Sequence, residues 1–338
     1  KDDLGGTHER TTVAHPACLT HPPFDGHSRS GALTLGYAPF MVRPVPPDAF
    51  SAPTWAVRAS GLVSMMPEPR VLTRHELRAL DRAATDELGI PSAVLMENAA
   101  IHASSVIATV AEIPADRRVL IVAGAGNNGG DGLALARQLV TLGFAVEVLV
   151  VGCADRLAPD TAMNLGSIRD SVSVGFITPD APAHDAAATA QATIRRLAPG
   201  IIVDAIFGTG LSRAIQGAAA GLVSAIHGAS KQEPGGAPGP RVIALDIPSG
   251  LDADTGSALT PCVRADLTIT FAACKAGFGA VEAQAQLGTI AIVPIGTPPG
   301  LTARFGVPLE LTPDGRWRHA DPRGSEAPRR PLAAGRTA

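Results

Sequence analysis

Three short loops hold most of the residue types in this chain that could do chemistry. They are Gly124-Ala-Gly-Asn-Asn-Gly-Gly-Asp131, Asp204-Ala-Ile-Phe-Gly-Thr-Gly-Leu-Ser-Arg213 and Asp246-Ile-Pro-Ser-Gly250. Each carries an acid or amide at a strand end. Three such loops at one sheet edge are hard to explain by packing. The first matches G-x-G-x-x-G through Gly124, Gly126 and Gly129, the pattern of a dinucleotide-binding turn. Two details count against a conventional dehydrogenase. The acid that should end the second strand is Glu147, which instead lies inside it, ahead of Val148-Leu-Val-Val151. Asp131 falls near the start of the next helix, where a carboxylate caps N–H groups but repels a diphosphate. Two amides, several backbone N–H groups and one carboxylate suit hydroxyls, an amide, a cation or a phosphate. Cys and His are missing from all three loops, so hard oxygen donors are offered and a zinc site is not.

The elements that must position these loops alternate. Thr73-Arg-His-Glu76 is a capping box, after which Leu77, Leu80, Ala84 and Leu88 recur at helical spacing up to Gly89. A second helix is expected from Pro91 to about Val110. Val119–Ala123 is a β-branched run suited to a strand buried on both faces. A helix follows through Leu133, Ala136 and Leu139, then a strand at Val146–Val151 and a helix at 184–197. Strands at Ile201–Ile206 and Val242–Ile247 flank a helix at about 216–227, and Leu267–Phe271 and Thr289–Val293 close the series. This alternation implies α/β architecture, a mostly parallel sheet with helices on both faces, over residues 67–297. Ligands bind such a sheet outside the carboxyl ends of its strands, where all three loops fall.

Composition limits the rest. Residues 1–66 are proline-rich, without lasting periodicity, and read as a disordered leader; 298–338, with seven prolines and seven arginines, read as a loosely structured tail. Glu233–Pro240 reads as a surface loop. With 46% apolar and 17% charged residues the 338-residue chain can bury a sizeable core. A net charge of −3 without a dense basic run argues against nucleic acid or an anionic membrane as partner. No apolar stretch reaches the roughly 18 residues of a membrane span. Cys18, Cys153, Cys262 and Cys274 form no CxxC pair or disulfide spacing, so a reducing cytoplasm is expected.

The runs GAGNNGGDGLALARQL, DAIFGTGLSR, ALDIPSGLDADTG and ADLTITFAACKAGF, with VLMENAA at 94–100, resemble the YjeF N-terminal domain family, the NAD(P)H-hydrate epimerases. The resemblance spans roughly 71–297. It implies a three-layer, Rossmann-like αβα sandwich, a homodimer, and interconversion of the R and S forms of NADHX and NADPHX, nicotinamide nucleotides hydrated at C6. It further implies a separate dehydratase that takes the S form. By motif, Asn127, Asn128, Gly129, Gly130 and Asp131 match the first hydrate-binding loop. Gly208, Thr209, Gly210, Leu211, Ser212, Arg213 and Ala214 match the second, and Asp246 a further substrate contact. Asn128, Asp204 and Ser249 match the ligands of one potassium ion per subunit. About 40 residues follow Gly296, too few for a dehydratase domain, so the expectation is an epimerase alone or a truncated bifunctional chain.

Hydroxide loss from C6, helped by the ring nitrogen lone pair, gives a planar iminium, and water returning to the opposite face inverts the centre. A proton carrier is required. Asp246, rising from the apolar Val242-Ile-Ala-Leu245 with its turn held by Pro248 and Gly250, is the expected acid and base. Asp252, Asp254, Lys275, Asn98 and Glu97 are lesser candidates, Lys275 reading equally as a solvated strand-end lysine. Cys274 reads as a buried thiol, and His75 and His102 as surface positions. The competing readings are a ligand-binding or scaffold module without activity, and an NAD-dependent dehydrogenase.

Overall fold

The computed structural model describes residues 62–66, 68–111, 114–230, 239–311 and 317–319. Residues 1–61, most of the expected surface loop and most of the tail beyond 311 lie outside the described residues. The main sheet has eight strands in the order β1-β10-β8-β7-β6-β3-β4-β5. These are β1 Leu62–Ser64, β3 Arg118–Gly124, β4 Ala145–Val151, β5 Ser173–Ile177, β6 Ile201–Ala205, β7 Arg241–Leu245, β8 Leu267–Phe271 and β10 Thr289–Val293. Every pairing among them is parallel. The helices are α1 Arg74–Asp86, α2 Ser92–Val110, α3 Asn127–Thr141, α4 Pro159–Ile168, α5 Ala183–Leu197, α6 Gly217–Ser230, α7 Gln284–Leu287 and α8 Pro299–Thr302.

The period of two along a strand sorts the core into layers. Val119, Ile121 and Ala123 of β3, with Val203 and Ala205 of β6, pack under α1, α2 and α3. Leu120, Val122 and Ile202 point the other way, onto α5 and α6. Each fully buried Val, Leu or Ile contributes about 1.5–3 kcal/mol of transfer free energy relative to exposure, and β3 is buried from Val119 to Gly124. The continuous apolar runs expected of central parallel strands are therefore present. Helix α2 has the length and hydropathy of a membrane span, yet Leu95, Met96, Ala99, Ala100, Ala103 and Ile107 are buried in the core.

Several elements escaped the periodicity. β5 is a sheet edge whose burial alternates poorly, so SVGFI shows no apolar run. α4 begins at Pro159 and has few buried positions. A second sheet of order β12-β11-β2-β9 joins β2 Arg70–Leu72, β9 Cys274–Lys275, β11 Val307–Leu311 and β12 Trp317–His319. Its β11 runs antiparallel to both β2 and β12. Part of the expected loose tail is thus folded: α8 and β11 lie within 298–338. The expected leader overlaps the domain at its end, because Leu62 is 1% exposed and pairs with Ile290 on β10. A chain starting at Met66 is expected to melt lower than one starting at Ala52. Loss of a buried leucine alone costs about 2–5 kcal/mol, and thermal unfolding of the two chains would reveal it. Identical melting temperatures would mean that β1 adds nothing.

Candidate active-site cleft

Strands β3, β6, β7 and β8 deliver their loops to one edge. α3 comes very close to that edge because glycine stands where a side chain could not. A Cβ on Gly129 would lie 1.8 Å from the Gly124 carbonyl oxygen, and one on Gly124 would lie 2.0 Å from that of Ile206. The helix therefore starts directly over the β3–β6 junction. Its N-cap is Gly126, without a side-chain cap. Asp131 is not the cap that its position suggested; it lies past the first turn and lines the cleft. Asn128 is 7% exposed, and its amide nitrogen and oxygen find no hydrogen-bond partner among the described residues.

Asp204, near the end of β6, is fully buried. Its carboxylate accepts from Ser249 N–H at 2.7 Å, Ser249 Oγ at 2.7 Å and Ile206 N–H at 3.2 Å. Burial pushes its pKa up to about 6, against these hydrogen bonds. Ser249 Oγ in turn accepts from Phe207 N–H at 2.9 Å. The β6 and β7 loops are thus joined beneath the cleft floor.

β7 ends at Leu245, two residues earlier than expected, because Asp246 takes a left-handed backbone with φ +64°. A non-glycine residue there costs of order 1 kcal/mol or more and is held by its surroundings. Here Asp246 N–H donates to Ile269 O at 2.7 Å, and Lys275 Nζ lies 2.5 Å from Asp246 Oδ1. Lys275 is 1% exposed and also donates to Phe271 O at 3.0 Å. The solvated lysine of the alternative reading is therefore a buried counter-ion.

The cleft above has a volume of about 1190 Å³, beyond the roughly 300–1,000 Å³ that holds a drug-sized ligand. Asn127, Asn128, Asp131, Asp246, Lys275 and the whole Gly208–Ala214 loop line it. Gly129 and Gly130 do not; they let α3 pack, Gly130 against Met96 and Thr161. Asp204 and Ser249 lie below the lining.

Sequence reasoning passed over Asp81. On α1, Leu77, Asp81 and Thr85 line the cleft at spacings of four; that spacing beside the apolar stripe was the available signal. Asp81 keeps contact with water because the cleft is open. The protein crowding it, and then Asp246, push its pKa up to about 6, with Lys275 and Arg82 opposing. Asp131 is pushed well above the usual carboxylate range by desolvation, then by Asp246 and Asp81. A raised folded-state pKa means that the native state holds the extra proton, so Asp81 costs nothing below about pH 4 and its full amount above pH 6. Asp81→Asn is expected to stabilise the protein at pH 7.5 by under about 1 kcal/mol, cleft water limiting the effect. The gain should vanish by pH 4, as parallel thermal melts would reveal.

The other lesser candidates lie elsewhere. Asp252 Oδ1 accepts from Asp254 and Thr255 N–H and its Oδ2 pairs with Arg74 at 2.8 Å, while Asp254 accepts from Arg74 N–H at 2.7 Å. Both carboxylates tether the start of α1. Glu97 pairs with Arg137 and Gln138, and Asn98 donates to Ile295 O at 3.1 Å. Glu147 pairs with Arg196, away from the cleft. Cys274 is buried, its thiol pushed up to about 12 by desolvation. His75 is exposed, but His102 is half-buried and bonds Asn98 O at 2.8 Å.

A Rossmann-like three-layer α/β domain with a deep, acid-lined cleft at the carboxyl edge is the class that fold and geometry define. The family model for the YjeF-related protein N-terminus matches residues 92–277. The chain is 34% identical over 223 residues to an NAD(P)H-hydrate epimerase of Limosilactobacillus fermentum, covering 66% of this chain and 95% of that protein. It is 32% identical over 263 residues to another of Rhodopirellula baltica, covering 77% and 99%. A bifunctional NAD(P)H-hydrate repair enzyme of Salinibacter ruber is 37% identical over 233 residues, which are 68% of this chain and 41% of that one. The chain thus spans about two fifths of the length of the bifunctional relatives. The crystal structure of the yeast protein ynu0 shares the fold, with a TM-score of 0.57 at 18% identity over 74% of this chain and 100% of that one. The chain belongs to the YjeF-related N-terminal family.

Proposed function

We propose that this chain interconverts the R and S forms of NADHX and NADPHX. The observation that carries the reading is Asp246, a carboxylate held against a buried ammonium at 2.5 Å on the floor of a cleft large enough for a dinucleotide. Relatives named as NAD(P)H-hydrate epimerases share the chain over 66% and 77% of its length. In this reading the Asn127–Asp131 and Gly208–Ala214 segments hold the nucleotide and place its reduced ring over Asp246. Lys275 faces Asp246 as its counter-ion, and Asp246 takes a proton from the incoming water. The decisive experiment incubates purified single-epimer NADHX with and without the protein and follows both epimers by chiral chromatography. Equilibration no faster than in buffer would end the reading.

The residues present fit a potassium ion. Asn128 offers a buried amide oxygen without a partner among the described residues, Asp204 a buried carboxylate whose charge burial disfavours, and Ser249 a hydroxyl on the same carboxylate. All are hard oxygen donors. A bound ion would supply fixed positive charge that ties the three loops together. Potassium is expected to raise the melting temperature of wild type by several degrees, for an ion concentration 100-fold above Kd is worth about 2.7 kcal/mol. Asp204→Ala should lose the response. An equal response to tetramethylammonium would reduce it to ionic strength. The reading further includes a homodimer, a separate dehydratase that consumes the S form, and a reducing cytoplasmic location.

A further inference from the structure

We infer that Asp81 on α1 is a second proton carrier for this reaction, serving the face of the reacting ring opposite to Asp246. The inference rests on the epimerase reading and adds to it. Inversion at C6 requires water to leave from one face of a planar cation and return to the other. A single carboxylate reaches one face. A long nucleotide anchored at its far end cannot turn its ring over cheaply between the two events. Two carboxylates arriving from different elements remove the difficulty.

The geometry supplies them. Asp246 rises from the sheet edge after β7, and Asp81 enters the same cleft from α1. That helix is fixed at its start. Thr73 N–H donates to Glu76 at 2.8 Å, Arg74 is held by Asp252 and Asp254, and Gly306 N–H donates to Glu76 Oε1 at 3.2 Å. Among the described residues the Asp81 carboxylate itself has no hydrogen-bond partner, so it is free to meet a ligand. The charged groups around it are Asp246, Asp131 and Lys275 from other elements, and Arg78 and Arg82 on its own helix. Asp131 is the competing choice. Desolvation, Asp246 and Asp81 push its carboxyl toward the neutral form, which disfavours it as a base. Asp81, near 6, can populate both forms around neutral pH.

In one direction neutral Asp81 gives its proton to the C6 hydroxyl. The C6–O bond breaks, water departs, and the ring-nitrogen lone pair forms the C6=N bond. Water then adds from the other face. Its oxygen bonds C6, the C=N π pair returns to nitrogen, and Asp246 takes the released proton. The enzyme is left with charged Asp81 and neutral Asp246, the state needed for the reverse conversion. Proton exchange with cleft water resets it.

The test is performed in H₂¹⁸O. Wild type should introduce ¹⁸O at C6 while epimerising. Asp81→Asn should epimerise about 10²- to 10⁴-fold more slowly while still exchanging oxygen, with retention, in the one epimer whose hydroxyl faces Asp246. Asp246→Asn should show exchange in the other epimer. Asp81→Ser gives the same reading should the amide disturb α1. Epimerisation by Asp81→Asn close to the wild-type rate overturns the inference. So does loss of exchange in both epimers, which would make Asp81 a residue that only shapes the site. Wild type that neither epimerises nor exchanges oxygen overturns the epimerase reading itself, and the inference with it.

Discussion

Asp246→Asn is expected to slow epimerisation about 10²- to 10⁴-fold, the usual loss when a general acid or base is removed, with substrate affinity nearly kept. The amide retains the size and hydrogen bonding of the carboxylate but cannot shuttle a proton. The substitution also acts on the fold. Lys275 is 1% exposed, and Asp246 is the acid paired with it. The Phe271 and Ala273 carbonyls remain as acceptors, but the ammonium loses its counter-charge. Breaking a buried pair from one side typically costs about 3–5 kcal/mol; the amide oxygen still facing Lys275 should keep the loss toward the lower end. Adding Lys275→Met removes the buried charge, so the double variant should regain melting temperature without regaining rate. That separation distinguishes chemistry from folding. If Asp246→Asn instead binds weakly and turns over near the wild-type rate, Asp246 is an anchor and the proton carrier lies elsewhere.

Gly129→Ala should be the most damaging single methyl in the domain. The new carbon would meet backbone, the Gly124 oxygen at 1.8 Å and its carbonyl carbon at 2.7 Å, and neither can swing aside like a side chain. Overpacking typically costs 1–3 kcal/mol and occasionally more; here about 3 kcal/mol or more is expected, or a fall of roughly 6–12 °C in a domain of this size. Relief requires α3 to lift, which displaces Asn128 and Asp131 together. Activity should therefore fall even where the variant remains folded. Gly126→Ala is the control. Nothing among the described residues lies within 4 Å of its Cβ position, and the change should cost under about 1 kcal/mol. Equal melting temperatures for the two variants would show that the close approach of helix and strand is not required.

What could be read from residues alone follows from how strongly each element depends on its own neighbours in sequence. The central strands β3, β6 and β8 bury both faces, so their apolar runs are unbroken and easily seen. The capping box at Thr73 is local chemistry and forms as expected. β1, β5 and the second sheet depend on distant partners, and their few residues carry little pattern of their own. In the cleft, the glycine- and amide-rich loops were visible because they are contiguous. Asp81 was not, and Lys275 stood only as a lesser candidate that read equally as a solvated lysine. Their environment is made by Asp246, which is far from either in sequence, and a lone lysine or a helical aspartate does not announce its burial or its company.

The pairing of Leu62 with Ile290 also bears on synthesis. Segments translated between them can pair as they emerge, since β3, β4, β5 and β6 are mutual neighbours. β1 must wait until β10 has left the ribosome. At about 5–20 residues per second that interval is on the order of ten seconds or longer. Throughout it β1 has no strand to pair with, and unpaired strand edges invite pairing with other chains. The nascent protein is therefore most vulnerable to aggregation through β1 until β10 arrives.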